Sequence, residues 1–140
     1  MHTALKLFLI GGAFTAVLAS GARSDTVVRL KAQDLSAQTS KWVGKTVETT
    51  MSCFYADKDE FRCVGGGARV DFSSLQPEAE RTKIESNCDT ISKSAKSVCT
   101  VRFQFVYQSN RKVDTGGLMG QMTVIEATDD AGTIMPKGKR

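Results

Sequence analysis

From Val47 onward, apolar and polar side chains alternate. Val47, Thr49, Met51, Cys53 and Tyr55 share one phase, and Glu48, Thr50 and Ser52 the other. A period of two predicts a strand with one buried face. The inner phase resumes at Phe61 and Cys63, beyond a polar tip of Asp57, Lys58, Asp59 and Glu60, which is a hairpin pattern. Three glycines at 65–67 interrupt it. Residues 68–73 then alternate again, with Val70 and Phe72 inward and Arg69 and Asp71 outward. The longest run sets Cys99, Val101, Phe103, Phe105 and Tyr107 against Thr100, Arg102 and Gln104. A short β-branched stretch at 26–31 and a stretch at 118–127 predict two more strands, and 109–117 (SNRKVDTGG) predicts a polar turn between the last two.

Helical signals are few. Residues 33–42 suit a short helix with Asp34 as N-cap, stopped by Gly44. Residues 77–87 (PEAERTKIESN) suit a surface helix, with Pro77 in the first turn, Glu78 and Glu80 at the positive end of the dipole, and Ala79 and Ile84 as its apolar contacts. Residues 89–97 are polar and predict a loop. The links are too short for most crossovers, so antiparallel neighbours are expected. The expected fold is mainly β: a small five- or six-stranded antiparallel barrel with one or two short helices. Closure would leave few open edges. Met51, Val70, Phe72, Val101, Phe103 and Phe105 are expected in one core.

The start of the chain follows a different pattern. Residues 1–22 carry Lys6, an uncharged run from Leu7 to Ala19, and the small residues Ala19, Ser20, Gly21 and Ala22. That is the layout of a secretory signal peptide. Its apolar run is shorter than the about 20 residues a membrane span needs. Cleavage is expected after Ala22, with Ala19 as the alternative, leaving no transmembrane anchor. The expected organisation is a signal peptide at 1–22, a single domain at 23–128 and a flexible basic tail at 129–140.

Export changes how the four cysteines read. Cys53, Cys63, Cys88 and Cys99 are even in number, and such a set in a small exported chain suggests two disulfides. Three pairings exist, and the spacing favours Cys53 with Cys63 and Cys88 with Cys99. A turn centred on Lys58 would place Cys53 opposite Cys63. A four-thiolate metal site fits poorly, since such sites bring cysteines in close pairs and no C-x-x-C occurs.

Composition adds exclusions. The chain has 140 residues, 19 lysines and arginines and 15 acidic residues, for a net charge of +4. Its one histidine, His2, falls in the expected leader. The remainder therefore has no Ser-His-Asp or Cys-His pair and no histidine ligand for zinc or haem. No metal or cofactor is expected. The glycines at 65–67 are not followed by the Lys-Ser/Thr of a phosphate loop. Asp57, Asp59 and Glu60 could offer oxygen ligands to calcium, but without a fixed-spacing loop they read as a solvated hairpin tip.

The stretch SAQTSKWVGKTVETTMSCFY resembles the opening of exported bacterial OB-fold proteins, including the tRNA-anti-like group. There a helix ending in a Gly-Lys pair, here Gly44-Lys45, feeds the first barrel strand. A hairpin, a middle helix and two strands follow, and CTVRFQFVYQS and GLMGQMTVIEA stand in the places of the last two. The likeness runs from Val27 to Ala127 and rests on order and spacing. It implies an OB-like fold and nucleic-acid binding by ancestry. No functional residue is carried over, because fold does not determine function.

The expected function is an exported, non-catalytic binding module of the bacterial envelope. Arg69, Arg102 and Gln104 are outward strand positions, and together they would make a small basic face for an envelope protein, a glycan or a small anionic ligand. One alternative is a carboxylate-based hydrolase of cell-wall polysaccharide. It would need two carboxylates facing one cleft at ~5–9.5 Å, and only Glu126 reads as an inward strand carboxylate. Another is a nucleic-acid-binding OB domain using Phe103, Phe105 and Tyr107 with Arg102. Those rings share the phase of Cys99 and Val101, which reads as core, so no nucleic-acid partner is expected.

Overall fold

The computed structural model describes residues 26–37, 40–117 and 120–137. The expected leader at 1–22 lies outside the described residues. The described chain is mainly β, with eight strands and two α-helices. In chain order the elements are β1 (Val28–Arg29), α1 (Ala32–Ser36), β2 (Thr46–Asp57), β3 (Glu60–Gly65), β4 (Ala68–Phe72), β5 (Ser74–Gln76), α2 (Glu78–Asn87), β6 (Thr100–Asp114), β7 (Gln121–Ala127) and β8 (Ala131–Ile134). Eight strands replace the expected five or six because β5 and β8, only three and four residues long, add to those expected. Segments so short carry no readable period.

The strand order is β1-β2-β3-β4-β7-β6-β8-β5, and β2 also pairs with β6. The series β2-β3-β4-β7-β6 therefore returns to β2. Most contacts are antiparallel, but β1–β2, β4–β7 and β5–β8 are parallel, against the wholly antiparallel expectation. The parallel β4–β7 pair needs a long connection, and the chain between them supplies it through α2 and β6.

The inner phase forms one core. Met51, Val70, Phe72, Val101, Phe103 and Phe105 are all buried in a single cluster. The Phe72 ring meets Phe103 edge-on at 5.3 Å between centroids, an arrangement aromatic pairs favour. The Cys53–Cys63 bridge joins residues directly opposite each other in β2 and β3, and Cys88–Cys99 ties the end of α2 to the start of β6. Both pairings match the expectation, and no cysteine is free. Two disulfides fit an oxidising compartment. No helix among the described residues is long and apolar enough to cross a membrane.

Local departures have local causes. Asp34 is not the N-cap of α1. It sits in the first turn and its carboxylate accepts from the Lys31 backbone N–H at 3.1 Å, so α1 starts earlier, and a separate 3-10 turn forms at Ser40–Trp42. Pro77 stands just ahead of α2, which buries Ile84 alone. Between Cys88 and Cys99 the chain makes two 3-10 turns rather than an irregular loop. Lys93 Nζ lies 2.7 Å from Asp89 Oδ1 there and holds that carboxyl below the usual carboxylate range. The expected polar turn at 109–117 is strand through Asp114. Its polar side chains are compatible with a ladder because both faces of this hairpin arm meet water. Residues 131–134, expected within a flexible tail, form β8. Gly132 packs under Phe72, and an added Cβ would stand 2.8 Å from that ring.

Candidate functional site

β2 carries β6 along one edge. Its other edge carries β3 at the far end and β1 at the near end. In the same way β8 continues the edge of β6 that β7 leaves open. Four strands, β1-β2-β6-β8, therefore lie side by side. Their register places Arg29, Glu48, Gln104 and Thr133 in one cross-strand row.

Glu48 is the centre of that row. Its phase is outward, as expected, yet it is only 6% exposed. Arg29 Nε lies 3.0 Å from Glu48 Oε2, and Gln104 Nε2 donates to Glu48 Oε1 at 3.1 Å. Arg102, one row further, brings its Nε within 3.8 Å of the same Oε1. A buried carboxylate is tolerated when paired and hydrogen-bonded. Charge-assisted donors at both oxygens meet that condition. Arg102 has a second task. Its backbone carbonyl accepts from Met135 N–H at 2.8 Å and its Nη2 donates to the Pro136 carbonyl at 3.0 Å. It thus pins residues 135–136 beside β6.

Two depressions flank Arg102, and both are lined by Arg102 and Thr50. One, of about 370 Å³, lies toward β1 and includes Arg29, Lys31, Glu48 and Thr49. Thr49 Oγ1 is buried without a hydrogen-bond partner. The other, of about 470 Å³, lies toward α2 and the chain after β8, and includes Glu80, Lys83 and Lys137. Together they present five cationic side chains and two carboxylates. Both carboxylates are engaged, Glu48 as described and Glu80 by Lys83 Nζ at 2.9 Å.

The structure brings Arg102 and Gln104 together through Glu48 but leaves Arg69 elsewhere. β4 is separated from β6 by β7 on one side and by β3 and β2 on the other. Arg69 instead pairs with Asp71 along its own strand, Nε to Oδ1 at 3.0 Å. Glu126, read as inward, is exposed and accepts from Ser109 Oγ at 3.2 Å. A bulge between Tyr107 and Ser109 shifts the ladder there. Phe103, Phe105 and Tyr107 are core and offer no stacking face. Around the hairpin tip, a third depression of about 210 Å³ is lined by Asp59, Glu60, Asp71 and Asp130. Arg62 holds Glu60 there at 2.7 Å. No group of three or more potential metal ligands is arranged to hold an ion among the described residues.

Sequence reasoning missed Arg29, Glu48, Lys83 and Lys137. Glu48 was readable as outward, but its burial depends on β1 and β6 meeting β2, which no local pattern contains.

No family model and no curated protein sequence matches the chain. A crystal structure described as an aspartyl-tRNA synthetase from Leishmania major Friedlin is similar to it at a TM-score of 0.39 and 13% identity. The match covers 89% of this chain and 23% of that one, so this chain spans less than a quarter of that protein's length.

Proposed function

We propose that the protein is an exported, non-catalytic binding module of a bacterial envelope, and that it takes an anionic ligand or partner on the β1-β2-β6-β8 face. The observation that carries this reading is the cationic surplus of two adjoining depressions meeting at Arg102. Five cations face two carboxylates that are already engaged, so an incoming anion meets unspent positive charge. Arginine adds a planar fork suited to carboxylate, sulfate or phosphate. Export is supported by the two disulfides and by the leader-like pattern at 1–22. The ring of pairings β2-β3-β4-β7-β6, with α2 between its third strand and β6, supports an OB-type barrel as the scaffold.

Binding of a sulfated oligosaccharide, followed by calorimetry at rising salt, tests the reading. Saturable, salt-sensitive binding is expected, with at least tenfold weakening in the Lys83→Glu, Lys137→Glu double variant. Unchanged affinity in that variant would place recognition elsewhere. Turnover of a cell-wall polysaccharide by the purified protein would overturn the non-catalytic reading.

A further inference from the structure

The two depressions are not alike. The smaller is walled by the Arg29–Gln33 segment and by polar strand positions. The larger has a divided lining. Val98, Val101, Ile134, Met135 and Pro136 give it an apolar side, while Lys83, Arg102 and Lys137 stand as its cations. Thr50, Thr100 and Glu80, whose carboxylate is held by Lys83 Nζ at 2.9 Å, complete the lining. A simple inorganic anion would use the cations and leave the apolar side wetted. A neutral apolar ligand would bury that side and desolvate the cations without compensation. Only a ligand with both characters satisfies the whole cavity.

We infer that this cavity binds a small amphipathic anion: one carboxylate or phosphate monoester head carrying a single short apolar body. This rests on the anion-binding reading above and narrows it. The volume of about 470 Å³ lies in the range of small-molecule sites, ~300–1,000 Å³. The head is received by Lys83, Lys137 and Arg102. Arg102 spends Nη2 on the Pro136 carbonyl and holds Nε loosely toward Glu48, so its guanidinium keeps donor capacity. The apolar body lies against Val98, Met135 and Pro136. The wall formed by Met135 and Pro136 is fixed before binding, because Arg102 holds it through both its backbone and its side chain. Preorganisation of this kind lowers the ordering cost of association.

The test uses the full protein carrying ¹³C-methyl methionine, with the Met135 methyl resonance followed by NMR. The probes are octanoate, octanol and inorganic phosphate, each titrated as monomer. Octanoate is expected to shift the Met135 resonance saturably and to bind at least tenfold more tightly than octanol or phosphate. Lys137→Glu, at an exposed position, is expected to weaken octanoate at least threefold and leave octanol unchanged. Val98→Asp is expected to remove the response to both chains. Equal affinities for octanoate and octanol would overturn the inference by removing any role for charge. Equal affinities for octanoate and phosphate would overturn it by removing the apolar side, while leaving the broader anion-binding reading intact. Sulfated oligosaccharide bound normally with octanoate silent separates the two in the same way. Silence toward all of them would sink both.

Discussion

At the scale of single residues, Glu48 shows how little of a side chain's role lies in its own position. Its two oxygens are shared among Arg29 of β1 and Gln104 and Arg102 of β6, two segments distant in sequence. Arg29 has 81% of its side chain exposed, so losing its partner costs it little hydration. Gln104 is part-buried and would keep an amide donor without an acceptor. Glu48→Ala should therefore cost about 1.5–3 kcal/mol, the scale of hydrogen bonds to a charged group. Arg29→Ala should cost under about 1 kcal/mol, as for an exposed ion pair. Urea unfolding of both variants checks the ranking, and the reverse order would show that Arg29 rather than Gln104 anchors the carboxylate. Tyr107 gives a second residue-scale expectation. Burial pushes its phenol above its ordinary value of 10.0, against the opposing effect of the Asn110 amide donating to its oxygen at 2.6 Å. The folded state then holds this proton more tightly than the unfolded chain. Its contribution is complete below pH 10 and is lost as pH rises through the folded value. Between pH 9 and pH 11 the wild type should lose more stability than Tyr107→Phe, measured by urea midpoints at each pH. Equal losses would mean the hydroxyl is as well hydrated in the fold as outside it.

At the scale of elements, what could be read from the sequence depended on length. The period-two runs through β2, β3, β4 and β6 are long enough to fix which side faces the core, and Phe103 and Val70 lie where those runs put them. Arg102 and Gln104 were readable as neighbours because they stand two apart on one strand. Arg69 was not excluded from their company by any local signal, because only the closing of β2 onto β6 sets β4 apart. β8 was unreadable for another reason. Four residues including a glycine carry no period, and the strand exists because β5 and β6 each offer it an edge. α1 depends on a similar meeting. It crosses the β3–β4 turn so closely that a Cβ on Gly66 would strike the backbone of Ala32 and Gln33, and Gly66 also has φ +57°. Gly66→Ala should cost about 1–3 kcal/mol from strain alone, with amide exchange of residues 32–36 accelerating first. Normal protection of those amides would show that α1 can shift to make room. Gly44 has φ +81° but open space around a Cβ, so Gly44→Ala should cost less than Gly66→Ala in the same measurement.

At the scale of the whole molecule, the two disulfides act on different parts of the stability. Each closes a loop of about ten residues, for which the chain-entropy picture gives roughly 2–3 kcal/mol. Together that is a large share of the ~5–15 kcal/mol by which a small domain is stable. Cys53–Cys63 spans a hairpin that also has its own ladder, and its neighbours Phe61 and Val70 are core. Cys88–Cys99 encloses two 3-10 turns and no strand, so the bridge, Lys93–Asp89 and short-range bonds such as Ser94 Oγ to the Ile91 carbonyl organise that segment in place of a ladder. Replacing Cys88 and Cys99 together by serine should expose residues 89–98 to proteolysis while the ring of strands persists. Replacing Cys53 and Cys63 together should lower the melting temperature of the whole fold. Both bridges persist only in an oxidising compartment. Produced without residues 1–22 in a reducing cytoplasm, the chain lacks both bridges and should yield far less folded protein than the same chain produced in an oxidising compartment. A non-reducing digest of protein made in an oxidising compartment should release two separate linked peptides, one for each pair. Equal yields, with melting temperatures indifferent to reductant, would show that the core of Phe72, Phe103 and Phe105 is sufficient alone, and the oxidising compartment would lose its physical necessity.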